Sequence, residues 1–219
     1  MQGELAALDG PAQPVLEQTG LILEAGRQAL TAASAAFRAW QALGFLVPRI
    51  AVNVSALQLR RRTFASDVRS ALGDLRADGG GVDLEITESL LMTEVDESIR
   101  KLSELRDLGL RIAIDDFGTG YSSLAYLSRL PADSLKIDRS FIHGMTEKAN
   151  DTNIISAIIS LGQSLRLKVV AEGVETERQA QLLRLLRCDQ AQGFLFGPPM
   201  PAEDVAALLQ TGSGLRERL

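Results

Sequence analysis

Cysteine and histidine are almost absent from this sequence. Its 219 residues include one cysteine, Cys188, and one histidine, His143. A single cysteine excludes an internal disulfide and suits a reducing compartment, so we expect a cytoplasmic protein. One cysteine and one histidine are too small a set of ligands for a structural zinc site.

A surplus of basic residues and a long uncharged apolar run are also missing. The 28 acidic residues outnumber the 23 basic ones, and the net charge is -5. We therefore expect no direct nucleic-acid binding. The most apolar stretch, from Leu21 to Val47, is interrupted by Glu24, Arg27 and Arg38, so no membrane span is predicted. These properties suit an acidic soluble enzyme or regulator.

What the chain does contain is a regular alternation of short apolar runs and amphipathic stretches. Six strand-then-helix units follow one another, an order typical of a parallel sheet wrapped by helices. A closed (β/α)8 barrel has eight strands and about 250 residues. We therefore predict an α/β fold, a TIM-like (β/α) barrel that is incomplete because its first strands are missing. The predicted domain covers residues 15–210, between an irregular segment 1–14 and a tail 211–219.

Two local patterns leave alternatives open. Asp115 and Asp116 directly follow the apolar run 111–114 and precede a glycine-rich turn. Because side chains alternate along a strand, one carboxylate should point into a site and the other beside it. Alternatively, Asp116 caps the next helix and Asp115 is a solvated strand end. The run Arg60–Arg62 is interpreted as a solvated helix start rather than a phosphate or membrane contact.

Polar residues stand at the ends of all six predicted strands. In chain order they are Asn53, Glu85, Asp115 with Asp116, Lys136, Glu172 and Gln192. The carboxyl ends of parallel strands meet at one edge of a sheet, where ligands bind. Carboxylate and amide oxygens suit hard cations such as Mg²⁺ or Mn²⁺, and paired cations serve phosphodiester hydrolysis. In such a site Lys136 would hold the attacking water and Glu172 would act as general base.

The motifs that contain these residues are VNVS at 52–55, LEITES at 84–89, DDFGTGYSSL at 115–124, LKID at 135–138, VAEGVET at 170–176, and QGF at 192–194 with PMP at 199–201. Together they resemble the EAL family, phosphodiesterases that use Mg²⁺ to open cyclic di-GMP to linear pGpG. The match runs from about Leu16 to about Leu208.

The resemblance implies a role for each matching residue. Asn53, Glu85, Asp115 and Asp116 would be metal ligands, and Lys136 and Glu172 would serve the hydrolytic water. Gln192 and Asp138 would order the site, with Gly118, Thr119 and Gly120 forming its loop. Glu88 would pin the loop 117–123, which in this family couples dimerisation to metal binding. Implied partners are cyclic di-GMP, a second copy bound through the helix after the loop, and a fused or separate regulatory domain.

One feature departs from the family pattern. The glutamate of the Glu-Ala-Leu motif, which is a metal ligand, would lie before Met1, as would the arginine that follows it. Glu4 could replace it only across a much shortened loop. We therefore expect an incomplete two-metal site and impaired phosphodiesterase activity. The alternative is an inactive cyclic di-GMP receptor or an interaction scaffold.

Overall fold

The structure is a computed structural model that describes residues 13–44, 49–73, 81–120, 124–147 and 149–211. Its strands are β1 (Ile50–Asn53), β2 (Val82–Thr87), β3 (Arg111–Phe117), β4 (Ser134–Ile137), β5 (Lys168–Ala171) and β6 (Gln190–Ala191). Its helices are α1 (Gln13–Thr19), α2 (Ile22–Ala42), α3 (Ala56–Arg60), α4 (Phe64–Leu72), α5 (Glu88–Leu91), α6 (Val95–Asp107), α7 (Leu124–Leu127), α8 (Arg139–Gly144), α9 (Ala149–Ser164), α10 (Glu177–Leu185) and α11 (Ala202–Thr211).

The strands form one parallel sheet in which the order in space is the order in the chain, β1 to β6. The register aligns Asn53 with Glu85, Glu85 with Ala113, and Lys136 with Val170. The sheet curls into a half-barrel with helices packed on it. The prediction of an incomplete TIM-like α/β barrel is confirmed.

The two faces of the sheet differ sharply in chemistry because side chains alternate along each strand. In β2 the residues Val82, Leu84 and Ile86 are fully buried, whereas the residues between them are partly exposed. The same face in the next strands is aliphatic, and its buried members are Ile112, Ile114, Leu135, Ile137, Val169 and Ala171. This face packs against the helices, so the opposite face is left to the polar side chains.

The turn after β5 is fixed by a helix cap. Thr176 and Gln179 form a capping box at the start of α10, in which the Thr176 side chain accepts from the Gln179 amide. The Gln179 side-chain oxygen also accepts from the amide of Glu175, and its nitrogen donates to the carbonyl of Ile142 in α8. These bonds tie the segment that begins at Glu172 to two helices.

Several predicted boundaries need correction. Helix α1 begins at Gln13, while the rest of the predicted irregular segment lies outside the described residues, as does most of the predicted tail. The arginines 60–62 are exposed as predicted, but they lie at the end of a helix rather than at its start: Arg60 is the last residue of α3, and the backbone at Arg61 is extended.

None of the helices that the structure describes has the length and apolar character required to cross a membrane.

The buried face predicts a large cost for truncation at its centre. Leu135 is 0% exposed and lies in the middle of the sheet, so Leu135→Ala leaves a cavity and should lower the free energy of unfolding by about 3 kcal/mol. Leu185→Ala is the matched control, because Leu185 is 78% exposed and should cost less than about 0.5 kcal/mol. Urea denaturation measures both values, and equal losses would contradict the assignment of the core.

Cys188 gives a second prediction. Its thiol lies 3.5 Å from the carbonyl oxygen of Val169 and 3.3 Å from that of Gln190, and burial raises its pKa to about 11. Since the thiolate is the reactive form, iodoacetamide at about pH 8 should modify the native chain at least about tenfold more slowly than the urea-unfolded chain. Mass spectrometry follows the reaction, and comparable rates would refute the buried environment.

Candidate active site

The centre of the site is the side chain of Lys136, which is 6% exposed. Its ammonium nitrogen lies 2.6 Å from Glu85 Oε2, 3.3 Å from Asp115 Oδ1 and 2.5 Å from Glu172 Oε1. Strands β2, β3 and β4 supply Glu85, Asp115 and Lys136, and Glu172 directly follows β5. The sheet thus brings together four of the residues that the sequence predicted for the site.

Burial and charge shift the pKa values of this cluster. Burial by itself lowers the pKa of Lys136, but the negative charges of Glu85, Asp115 and Glu172 outweigh it and hold the pKa above its usual value. Burial raises the pKa of Glu172 to about 7, helped by Asp115 and Glu85 and opposed by Lys136. Lys136 therefore stays charged, while Glu172 lies in the range where a carboxyl group can exchange a proton near neutral pH.

Gln192 reaches the cluster from the segment after β6. Its side-chain nitrogen donates to Glu172 Oε1 at 2.6 Å, and its backbone nitrogen donates to the carbonyl of Ala171 at 2.8 Å. The neighbouring residue must be glycine: a Cβ on Gly193, at φ +153, would lie 2.3 Å from both the nitrogen and the oxygen of Val174. The close packing of Gly193 on Val174 therefore fixes the backbone that carries Gln192, whose side-chain amide contacts Glu172.

The two adjacent aspartates take different positions. Asp115 is buried and paired with Lys136, so it is not a solvated strand end. The register between β3 and β4 shifts between Ile114 and Phe117, and Asp116 has a left-handed φ of 53°. The alternation of side chains therefore breaks at Asp116, whose backbone amide donates to Asp115 Oδ1 at 3.0 Å.

Asn53 is the last residue of β1 and is in register with Glu85, which places it at the same edge of the sheet.

Glu88 organises the glycine-rich loop after β3. Its side chain is buried, and its Oε2 accepts from the amide of Gly118 at 2.9 Å. A Cβ on Gly120 would lie 2.7 Å from Glu88 Oε1, so the loop wraps closely around this carboxylate. The Thr119 hydroxyl donates to the carbonyl of Asp116 at 2.8 Å. The rest of the loop, residues 121–123, lies outside the described residues.

Asp138 has a local role that the sequence did not predict. Its carboxylate accepts from the amide of Ser140 at 2.9 Å and caps α8. A contribution to ordering the site stays a prediction.

The sequence also missed His143, whose Nε2 lies 3.1 Å from Glu175 Oε1 and links α8 to the turn after β5. The capping-box pattern of Thr176 and Gln179 could have located that turn.

The oxygen donors fit a hard cation by their chemistry, since carboxylate oxygens are the usual ligands of Mg²⁺ and Mn²⁺. Among the residues that the structure describes, no group of three or more acidic, histidine or cysteine side chains is arranged to hold a metal ion. The three carboxylates converge instead on the ammonium group of Lys136. Glu4 falls outside the described part of the chain.

The chain that carries this polar cluster matches a known protein family. The family model of the EAL domain matches residues 12–199, and the chain belongs to this family. The resemblance seen in the motifs is confirmed.

Individual relatives are bacterial signalling proteins. The chain is 48% identical over 194 residues to the bifunctional diguanylate cyclase/cyclic di-GMP phosphodiesterase MucR of Pseudomonas aeruginosa, matching 89% of this chain and 28% of MucR. It is 50% identical over 153 residues to the cyclic di-GMP phosphodiesterase NbdA of the same organism, matching 70% of this chain and 20% of NbdA. The chain thus spans less than a third of the length of either protein.

Solved structures agree with the fold. The structure of PaMucR phosphodiesterase in complex with c-di-GMP matches with a TM-score of 0.85 and 48% identity, over 88% of this chain and 78% of that one. BlrP1 of Klebsiella pneumoniae, in complex with manganese and c-di-GMP, matches with a TM-score of 0.67 and 28% identity, over 89% of this chain and 47% of that one.

The close approach at Gly193 predicts a specific sensitivity. Gly193→Ala forces a Cβ into the backbone of Val174 and should lower the free energy of unfolding by about 3 kcal/mol. Gly44→Ala is the control, because Gly44 also has positive φ but a Cβ there meets nothing within 4 Å. It should cost about 1 kcal/mol from backbone strain alone. Chemical denaturation compares the two, and a smaller loss for Gly193→Ala would argue against this packing.

Proposed function

We propose that this chain binds cyclic di-GMP and hydrolyses it to linear pGpG with the help of a divalent cation, Mg²⁺ or Mn²⁺. The observation that carries the proposal is the buried cluster of Lys136 with three carboxylates at the carboxyl ends of the strands. It occurs in a chain 48% identical to a phosphodiesterase solved with c-di-GMP.

The cation would be held by Asn53, Glu85, Asp115 and Asp116. Glu85 and Asp115 already point oxygens at a common centre, and Asn53 lies in register with Glu85. The relative BlrP1 has been solved with calcium as well as manganese. When bound, a divalent cation supplies positive charge to the phosphate and makes a bound water more acidic.

The residues of the chain would handle the proton and the developing charge. Lys136 and Gln192 both contact Oε1 of Glu172, which fixes the direction of this carboxylate and leaves Oε2 to accept a proton from water. The water oxygen forms a new bond to phosphorus while one ester P–O bond breaks; the departing ribose oxygen takes up a proton from solvent, to which Glu172 returns the proton it accepted. The ammonium of Lys136 offsets negative charge on the phosphate.

A second function, cyclic di-GMP binding without turnover, is favoured by one observation. The three carboxylates are already paired with an ammonium group, and a cation must compete with that pairing.

In either function, we propose that two copies associate through α7, where Leu124 and Tyr126 expose apolar surface.

The test is hydrolysis of cyclic di-GMP with Mg²⁺ or Mn²⁺, followed by chromatography of the nucleotides. The wild type should produce pGpG, and Glu172→Gln should lower the rate at least about 100-fold by removing the base. Glu177→Gln is the matched control: it is the same chemical change at a side chain that is 60% exposed and bonded to Arg184. This control should retain the wild-type rate.

Titration calorimetry with cyclic di-GMP separates the alternatives. Binding without turnover in the wild type would support the receptor function, and the absence of both would support a scaffold. Equal turnover in wild type and Glu172→Gln would contradict the assigned base.

A further inference from the structure

The ammonium group of Lys136 lies where the carboxylates of the site converge. Glu85, Asp115 and Glu172 come from β2, β3 and the segment after β5, and their side chains are 12%, 12% and 17% exposed. Like charges this close repel strongly where water is scarce. Some cation must therefore be present among them for the carboxylates to remain ionised and close together.

We propose that Lys136 is a positioning residue that acts as an internal counter-ion: its ammonium holds Glu85, Asp115 and Glu172 together in the metal-free chain and gives way to a divalent cation. The inference rests on the proposed function, since it assumes that a cation binds these carboxylates. It adds that the lysine and the cation compete for the same oxygens.

The side chain of Lys136 suits such an exchange. An ammonium group is a compact charge on a flexible four-carbon stem, so it can withdraw from one carboxylate while the backbone stays in place. Two of its three contacts are short, to Glu85 and Glu172, whereas Asp115 Oδ1 is at 3.3 Å. The backbone of Lys136 pairs with Val170 in β5, and its neighbours Leu135 and Ile137 pair with β3, so we expect movement to be confined to the side chain.

A second buried lysine provides the comparison. Lys101 in α6 has a side chain 8% exposed, and its nitrogen lies 2.7 Å from Glu97 Oε1 and 2.7 Å from the carbonyl oxygen of Leu59. It therefore matches Lys136 in burial but has one carboxylate partner, and that partner is 40% exposed. Lys101 joins α6 to α3 and has no part in the proposed cation site.

The experiment measures the melting temperature of wild type, Lys136→Met and Lys101→Met, first in EDTA and then over a titration of MgCl₂. In EDTA, Lys136→Met should melt about 10 °C below wild type, because three buried carboxylates lose their counter-ion. Mg²⁺ should raise the melting temperature of Lys136→Met by more than it raises that of the wild type. Its midpoint in Mg²⁺ should be about tenfold lower, since no ammonium competes. Lys101→Met should show the same Mg²⁺ increment and midpoint as the wild type.

Each other outcome has a definite meaning. If Mg²⁺ stabilises the wild type and Lys136→Met by the same amount at the same midpoint, the counter-ion role is overturned while the proposed cation site survives. If Mg²⁺ shifts none of the three proteins, no cation binds these carboxylates in the free chain, and the counter-ion exchange is overturned together with the proposed cation site of the free chain. If Lys136→Met does not fold in EDTA, recovery of a cooperative transition after addition of Mg²⁺ supports the inference, and failure to recover refutes it.

Discussion

The site depends on one interaction, the contact of a buried ammonium group with three carboxylates. A buried charge is costly unless it is paired and hydrogen-bonded. Lys136 meets this condition by contacting Glu85, Asp115 and Glu172, and each of those carboxylates is partly neutralised in turn. Removing Lys136 leaves three buried carboxylates without their counter-ion, so the four side chains form a single electrostatic unit.

The fold supplies this unit by dividing the two faces of the sheet. Residues such as Leu135 and Ile137 pack against helices, while Lys136 between them points to the opposite side. A slip of one residue in register would exchange these roles and place the charge in the aliphatic core. The stability of the core and the position of the charges are therefore set by the same pairing, which explains why an aliphatic face and a charged face coexist in short strands.

The sequence was sufficient to predict the sheet and the convergence of several candidate site residues, because strand ends in a parallel sheet meet at one edge. Glu85, Lys136, Glu172 and Gln192 were found in this way, and the structure brings them together. The local pattern could not predict the register shift at Asp116, because alternation assumes an uninterrupted strand. The local pattern also could not show that Lys136 contacts all three carboxylates. Distances between side chains on different strands depend on how the strands pair and on how the sheet curves.

The charge of the cluster constrains what it can bind. With Glu172 ionised, the four carboxylates of the proposed site, Asp116 included, against one ammonium leave three negative charges, of which one divalent cation would neutralise two. A second cation would make the site positive, and its binding would be favoured only when another negative group enters. Cyclic di-GMP brings such groups in its two phosphodiesters, so nucleotide and cation would strengthen each other's binding by thermodynamic linkage. A complex of the relative BlrP1 contains both manganese and cyclic di-GMP. Under the proposed function, binding and hydrolysis would use the same charges, and the extent of cation occupancy would separate a receptor from an enzyme.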